Sequence, residues 1–292
     1  MATWTIDGRA ALSAAEKRAV SALRAACEEA EPLDLKLEID EVESAGVPIH
    51  FLAGADGEVI GYAAITPGAE AEVCGMVHPA WRRRGMGKAL LDQVLGAARR
   101  LERPSVLVIC EDSGPVALAW LRRAGGSDEE SELRMTLRLA GDDPRSGSER
   151  RPEALLELRS PGVTERAALL ALLGEGFHES AEQVGDRLDA TPEDESLVAI
   201  ESGQVVGTLR LTTTPRRSMI YGFVVDKERR GQRLGTRMLE AVLTRLRAAR
   251  VAEVGLEVDP ENTPAVRLYR AFGFEAVTTY RYLRLDSAKR KG

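Results

Sequence analysis

The segment that decides the fold of this chain is Val225-Asp226-Lys227-Glu228-Arg229-Arg230-Gly231-Gln232-Arg233-Leu234-Gly235-Thr236. An apolar, strand-like run at residues 220–225 precedes it, and an amphipathic helical pattern begins near Arg233. The order is therefore a strand, a short basic loop with glycines, and a helix N-terminus. Unpaired amides at a helix N-terminus, together with the helix dipole, favour the binding of phosphate groups. The sequence predicts a diphosphate-binding loop at this place.

A second copy of this pattern occurs earlier in the chain. It contains Arg82-Arg83-Arg84-Gly85-Met86-Gly87 after a strand-like run that ends at Val77. Val77 lies about 150 residues before Val225, and such an internal repeat indicates a duplicated domain. A length of 292 residues is sufficient for two domains of ordinary size.

The composition narrows the class of protein. Apolar residues at 44% and charged residues at 29% are typical of a globular protein, and no apolar run has the length of a membrane span. The net charge of −6 argues against general nucleic-acid binding. The three cysteines, Cys27, Cys74 and Cys110, lack the spacing of a metal site, so we expect no bound metal. They also form no even disulfide framework, and we therefore expect a cytoplasmic protein. The oligomeric state is left open.

The two halves repeat one order of predicted elements. Each has helical patterns, then strands joined by turns, then the basic loop, a helix, a strand, a helix and a last strand. This order predicts an α+β fold whose central sheet is mixed and mostly antiparallel and is flanked by helices. Residues 140–152 lack apolar periodicity. We therefore predict an N-terminal domain at 1–140, a linker at 141–153 and a C-terminal domain at 154–292.

The second half continues with a strand at 254–258, then Asn262, Tyr269 and the pair Gly273-Phe274. The apolar strand, the basic loop, the helix, this second strand and the Asn–Tyr helix together resemble the GNAT acyltransferase superfamily. The resemblance covers roughly residues 155–285, and the duplicated loop makes the chain similar to a tandem member. It implies that acetyl-CoA is held between two splayed strands. An acetyl or other short acyl group then passes to a primary amine of a small molecule or peptide by direct attack.

The resemblance also implies which residues bind coenzyme A. Main-chain groups of Phe223, Val224 and Val225 would pair with the pantetheine arm, and Asn262 would contact it. The pyrophosphate would be held by the loop residues Arg230, Gly231, Gln232, Arg233, Leu234, Gly235 and Thr236. The corresponding residues of the first half are Met76, Val77, Arg82, Arg84, Gly85, Met86 and Gly87. Arg233 replaces the first glycine of the family pattern, and a loop residue with negative φ is expected to accept this change.

Tyr269 is the candidate general acid. It lies seven residues after Asn262, which places both on one helix face, and its phenol can protonate the departing thiolate. The general base is less defined, because residues 219–223 contain no carboxylate; Glu257 and Tyr221 are the candidates. Glu257 could equally be structural, and Asn262 could be a helix N-cap. In the first half Leu121 occupies the Tyr269 position, so we predict a degenerate N-terminal domain and a catalytic C-terminal one.

Two alternatives stay open. The opening residues Trp4 and Ala11-Leu12-Ser13-Ala14-Ala15-Glu16 faintly resemble those of the mycothiol synthase family, which also has tandem domains. That family carries a carboxylate on the strand before the second loop, where this chain has Met219 or Ile220. A small amine, an antibiotic and a peptide N-terminus are therefore equally open as acceptors. The other alternative is an acyl-CoA-binding sensor without turnover, against which the presence of Tyr269 argues.

Overall fold

The computed structural model describes residues 3–37, 47–66, 70–139, 156–177, 179–190, 195–214 and 217–288. The predicted linker at 141–153 lies outside the described residues. Along the chain the elements are β1 (Thr5–Arg9), α1 (Ala14–Ala30), β2 (His50–Ala55), β3 (Glu58–Thr66), β4 (Glu72–Val77), α2 (Met86–Arg100), β5 (Ser105–Glu111), α3 (Pro115–Arg123), β6 (Ser127–Arg138), β7 (Glu157–Arg159), α4 (Arg166–Phe177), α5 (Ala181–Ala190), β8 (Glu195–Glu201), β9 (Gln204–Thr213), β10 (Arg217–Val225), α6 (Leu234–Ala248), β11 (Glu253–Val258), α7 (Thr263–Ala271) and β12 (Glu275–Asp286).

The chain forms two compact units. Unit 1 comprises Met1–Glu132 and Thr278–Gly292, and its strand order is β1-β2-β3-β4-β5-β12. Unit 2 comprises Leu133–Val277, with the order β7-β8-β9-β10-β11-β6. Neighbouring strands within each unit are antiparallel, except that β4 pairs with β5 and β10 pairs with β11 in parallel. The predicted α+β fold with a mixed, mostly antiparallel sheet in each of two repeated domains is confirmed.

The last strand of each half belongs to the other unit. Residues Leu133–Arg138 of β6 pair with β11 of unit 2, and residues Tyr280–Asp286 of β12 pair with β5 of unit 1. The units consequently differ from the predicted sequential division at 140 and 154. The physical reason is that β5 and β11 each accept their antiparallel partner from the opposite half of the chain.

Helices cover both faces of each sheet. In unit 1, α2 packs on one face through Leu90 and Val94, while α1 packs on the other through Val20 and Leu23. In unit 2, α6 and α7 cover one face and α4 and α5 cover the other. The amphipathic patterns of these helices place their apolar stripes on the sheets. The basic loops therefore lie at the N-termini of α2 and α6, which are fixed by buried apolar side chains.

Local sequence features explain several element ends. Ser13 and Glu16 form a capping box at the start of α1. Ser180 and Gln183 cap α5 reciprocally, because the amide of each residue donates to the side chain of the other. Asp56 and Gly57 both have positive φ, at 52° and 85°, as a two-residue hairpin turn requires. Strands β1 and β7 were not predicted, because their short polar sequences lack apolar alternation.

Candidate functional site

The two basic loops have the same backbone course. Each strand ends in a short 3-10 turn, Pro79–Trp81 or Lys227–Arg229, before the loop enters its helix. Each loop contains two left-handed residues, which are Arg83 and Gly85 with φ of 63° and 84°, and Gly231 and Arg233 with φ of 77° and 60°. The expectation of a negative φ at Arg233 is wrong. The chain needs a left-handed residue at both positions, and each loop fills one with glycine and the other with arginine.

Arg82 and Arg230 fasten the loops to the strands. The Arg82 Nε donates to the carbonyl oxygen of Val77 at 3.0 Å, and the Arg230 Nε donates to that of Val225 at 3.2 Å. Arg82 also forms an ion pair with Glu31 at 2.6 Å. Each guanidinium is thereby held beside the N-terminus of α2 or α6, where the amides of the first helical turn have no partner within the helix.

The other loop side chains pack on their own surroundings. The Gln232 Oε1 accepts from Arg229 Nε at 3.1 Å, and the Arg84 guanidinium stacks over Trp81 at 4.9 Å from the ring centre. Glu201 at the end of β8 forms ion pairs with Arg229 and Arg237. The hydrogen bond from Arg237 is the largest cause that lowers the pKa of Glu201. The carboxylate therefore partly neutralises the cations around the unit 2 loop.

A cavity of about 550 Å³ lies in unit 1. It starts at the basic loop and continues between β4 and β5, which pair only at Glu72↔Leu107 and Val73↔Val108 before they diverge. The predicted first-half residues that line it are Met76, Val77, Arg82, Gly85, Met86 and Gly87. A space between diverging parallel strands, with a helix N-terminus at its mouth, suits an elongated ligand that ends in a diphosphate.

In unit 2 the equivalent strand β10 carries a bulge. β10 pairs with β11 up to Ile220↔Leu256, and its pairing with β9 shifts register between Tyr221 and Val224. Gly222, inside this shift, has φ of 55°. A bulge withdraws residues from the ladder, so their main-chain groups can turn to a ligand. β4 of unit 1 pairs with β3 from Thr66↔Glu72 to Gly61↔Val77 without such a shift.

Tyr269 lies next to the bulge. Its ring meets Phe223 edge-on, with 6.2 Å between ring centres, and packs on Phe274 at 5.7 Å. The residue is 5% exposed, and this burial raises the pKa of the Tyr269 phenol to about 12. The phenol is therefore protonated at neutral pH, as a general acid must be. Leu121, at the equivalent position of unit 1, is buried in the apolar core beside α2.

Asn262 and Glu257 both have structural partners. Asn262 is the exposed N-cap of α7, and its Oδ1 accepts from the amide of Ala265 at 3.3 Å. Glu257 is the first residue of β11 beyond its pairing with β10, and its carboxylate forms an ion pair with Arg134 at 3.3 Å. Arg134 was not predicted as a site residue. It belongs to the first half of the sequence, and no local pattern shows that its strand would join unit 2.

Tyr221 and Glu257 lie on the same face of unit 2. A Cβ built at Gly255 would touch Met219 Sδ and Arg134 Nη2, so the side chains of Met219 and Arg134 share that face. Alternation along β10 and β11 adds Tyr221 and Glu257 to it. Tyr221 is 39% exposed. The structure thus brings the two candidate bases to the face of the sheet opposite α6.

The family model for the acetyltransferase (GNAT) family matches residues 8–125 and 166–274. This chain belongs to that family. The match covers both repeats, in agreement with the two basic loops and the two pairs of diverging strands. Members of the family use acetyl-CoA as donor, and the chain is accordingly an acetyl-CoA-dependent N-acetyltransferase.

Known relatives span both repeats of this acetyltransferase. It is 34% identical over 254 residues to the mycothiol acetyltransferase of Clavibacter michiganensis, with 82% of this chain and 81% of the relative covered. It is 30% identical to that of Sanguibacter keddieii, with 91% and 92% covered.

Solved structures share the fold of this acetyltransferase. A GCN5-related N-acetyltransferase from Sphaerobacter thermophilus aligns with a TM-score of 0.77 and 24% identity, covering 99% of this chain and 96% of that one. A tandem GNAT protein from the clavulanic acid biosynthesis pathway aligns with a TM-score of 0.77 and 19% identity, covering 99% of this chain and 100% of that one.

Among the helices of the described ranges, none combines the length and apolarity needed to cross a membrane. The described residues also contain no group of three or more His, Cys, Asp or Glu side chains placed to hold a metal.

Proposed function

We propose that unit 2 of this acetyltransferase transfers an acetyl group from acetyl-CoA to a primary amine by direct attack. The observation that carries the proposal is the contact between Tyr269 and Phe223. It places a buried, protonated phenol against the bulge at the point where β10 leaves β11. A general acid and freed main-chain donors beside the diverging strands are the two groups that collapse of a tetrahedral intermediate needs.

In this proposal the residues of unit 2 divide the work. The amides from Gly231 to Thr236, with Arg230 and Arg233, bind the pyrophosphate, and Phe223 to Val225 pair with the pantetheine arm. Asn262 contacts the same arm while it caps α7. The amine forms a bond to the thioester carbon, the carbon–sulfur bond breaks, and Tyr269 gives its proton to the sulfur. The tyrosinate then regains a proton from solvent.

Glu257 has a role other than that of a strong base in this scheme. Its carboxylate is already engaged in the ion pair with the Arg134 guanidinium at 3.3 Å. A fixed carboxylate at the diverging strands instead suits the binding and orientation of the acceptor's amino group. We therefore propose that the acceptor reacts as the neutral amine and releases its proton through water, with Tyr221 at the exposed side of the site.

Unit 1 is proposed to bind coenzyme A without turnover. Its loop and its cavity between β4 and β5 support binding through Met76, Val77, Arg82, Arg84, Gly85, Met86 and Gly87. Two other observations oppose catalysis. Leucine stands in place of the acid, and β4 has no register shift that would free main-chain donors. The division between a degenerate N-terminal repeat and a catalytic C-terminal repeat is part of this proposal.

The unacetylated precursor of mycothiol is our second, more specific candidate for the acceptor. The mycothiol acetyltransferases of Clavibacter michiganensis and Sanguibacter keddieii favour it, because their similarity extends over both repeats. In this chain Met219 and Tyr221 occupy the β10 positions on the acceptor face, and the carboxylate comes from Glu257 on β11. Small amines and peptide N-termini are the competing acceptors.

The free state of the three cysteines fits the expected cytoplasmic location.

The test is thiol release from acetyl-CoA in the presence of single acceptors, with mass spectrometry of the products. The panel contains the mycothiol precursor, an aminoglycoside, a simple alkylamine and a short peptide. We expect one acceptor class to gain 42 mass units, a mass of about one acetyl group in place of hydrogen, at stoichiometry with the released thiol. Thiol release at the same rate with and without every acceptor would contradict amine acetylation and indicate hydrolysis instead.

A further inference from the structure

The unit 1 cavity passes through the sheet. On the α2 side it is lined by Val73, Leu90 and Val108, which belong to the core beneath that helix. On the α1 side it is lined by Tyr62 and Met76, which belong to the core beneath α1. One continuous space therefore starts at the basic loop, crosses between β4 and β5, and opens on the other face. A thioester at the crossing point would have further space ahead of its acyl group.

We call this further space the inner chamber, and it is lined by Leu33, Leu35, Tyr62, Cys74, Ile109 and Tyr280. Its walls are mostly apolar. The Tyr62 hydroxyl is hydrogen-bonded to His50 Nδ1 at 2.7 Å, and the Tyr280 hydroxyl donates to the carbonyl of Asp34 at 2.8 Å. The rings, rather than the hydroxyls, are thus left to a ligand.

The charged groups beside the inner chamber are engaged within unit 1. Lys36 Nζ donates to the Glu132 carboxylate at 2.9 Å and to the Tyr282 hydroxyl at 2.7 Å. The Glu111 carboxylate accepts from the amide of Asp34 and, in addition, from the side-chain hydroxyls of Thr278 and Ser113. Lys36 is paired with the Glu132 carboxylate, and the Glu111 oxygens already accept from three neutral donors, so both side chains are engaged within unit 1 rather than by a charged ligand.

Positions on the same face of unit 2 are charged. Aligning Val77 with Val225 places Ile109 at the position of Glu257, and the strand pairs Gly61↔Val77 and Gly207↔Val225 place Ala64 at that of Arg210. The cross-strand neighbour changes as well, because Tyr282 lies opposite Ile109 where Arg134 lies opposite Glu257. Three charged residues on the acceptor face of unit 2, Arg134, Arg210 and Glu257, thus correspond to Tyr282, Ala64 and Ile109 in unit 1. This change removes the groups that would recognise a polar acceptor.

We propose that the inner chamber of unit 1 holds the apolar acyl chain of an acyl-CoA whose chain is longer than acetyl. The proposal rests on coenzyme A binding in unit 1, as set out under the proposed function. Each methylene that enters an apolar chamber adds up to about fourfold in affinity, until the chamber is full. Acetyl-CoA, whose acyl group ends at the crossing point, would leave the chamber unused.

The experiment uses the full-length chain with Gly235→Asp, which places a carboxylate where the unit 2 loop would bind phosphates. Acetyl-, butyryl-, hexanoyl- and octanoyl-CoA are titrated into this variant by calorimetry. We expect affinity to rise with each methylene by two- to fourfold before it levels off. Affinity that is equal for all four chain lengths would overturn the chamber's role while donor binding in unit 1 stands. No binding of any of them would overturn both.

A pair of substitutions at Leu35 then tests the location. Leu35 is half-buried and lines the inner chamber from the segment after α1. In the same background, Leu35→Trp is expected to shorten the preferred chain and Leu35→Ala to lengthen it, with acetyl-CoA affinity changed by less than about twofold in both. An unchanged chain-length preference in both variants would place the acyl chain elsewhere and reject the proposal.

Discussion

Tyr269 gives the sharpest test of the reaction at the scale of one residue. We expect Tyr269→Phe to lower kcat by roughly 10²–10⁴-fold and to change the KM for acetyl-CoA little, because only a proton needed in the transition state is lost. The ring contacts with Phe223 and Phe274 persist. Steady-state kinetics with a donor whose thiol is more acidic provides the control, since its loss should be smaller. A variant that keeps most of its kcat would show that the ring serves packing alone.

The pH profile carries a second expectation for this residue. Burial raises the pKa of Tyr269 to about 12, so the protonated form persists through neutral pH and is lost only as the pH rises through that value. The wild-type kcat should therefore show no alkaline decrease from this group near pH 9. The same shift means that stability from the neutral phenol is complete below the ordinary tyrosine pKa and declines above it.

Arg233 is expected to separate stability from donor binding. An arginine in the left-handed region destabilises the folded state by roughly 1–2 kcal/mol, and glycine removes this strain. Glycine also loses more backbone entropy on folding, which offsets about 0.5–1 kcal/mol of that gain. Arg233→Gly should thus raise the free energy of unfolding by about 0.5–1 kcal/mol, while acetyl-CoA binding to unit 2 weakens severalfold. Chemical denaturation and calorimetry measure the two effects. Arg83→Gly is the matched control, and it should stabilise without changing kcat. A destabilised Arg233→Gly would contradict this account.

The site residues differ in how far the sequence could predict them. The spacing of seven residues between Asn262 and Tyr269 is that of two helical turns, and the structure has Asn262 as the N-cap of α7 and Tyr269 within it. The sign of φ at Arg233 could not be read from its neighbours, since it depends on how the 3-10 turn at Lys227–Arg229 enters α6. Arg134 could not be predicted as a site residue for another reason. Its partner Glu257 is distant in sequence and is brought close only by strand pairing.

At the scale of elements, the N-termini of α2 and α6 offer a matched pair of variants. Gly87→Asp and Gly235→Asp each place a carboxylate in the first helical turn. The helix dipole stabilises this negative charge, but the charge repels a phosphate. We expect Gly235→Asp to abolish most turnover. Gly87→Asp should leave kcat unchanged and remove one of two coenzyme A sites counted by calorimetry. Thermal unfolding verifies that both variants fold. Loss of turnover in Gly87→Asp alone would move catalysis to unit 1.

The bounds of an element could be predicted from the sequence wherever its apolar residues recur at regular strand or helix spacing. Strand β11 and the start of α6 agree with the expected positions, since buried residues at strand or helix spacing define them. β6 begins several residues earlier than its apolar part indicated. Its first residues, Ser127-Asp128-Glu129-Glu130-Ser131-Glu132, are polar, and such a sequence does not reveal extended structure by its hydrophobicity.

At the scale of the whole molecule, the exchange of strands could not be predicted from the sequence. The alternating residues of β6 and β12 show that a strand exists, but either β5 or β11 could pair with it. The exchange predicts the behaviour of a divided chain. Fragments 1–147 and 148–292, expressed separately, should each lack a strand and aggregate, whereas co-expression should restore a complex that binds coenzyme A. Co-purification and calorimetry test this outcome. A stable, monomeric fragment 1–147 would contradict it.

The same exchange sets an order for folding during synthesis on the ribosome. Unit 1 contains the first residues to be made, yet its sheet stays open at β5 until Thr278 and the residues after it have been translated. Nearly 150 residues separate Glu132 from that point, which at about 5–20 residues per second is a delay of roughly 7–30 s. Throughout it, the apolar edge of β5 is exposed to neighbouring nascent chains. The unit that begins first is completed last, and a stop codon late in the second repeat would damage the first.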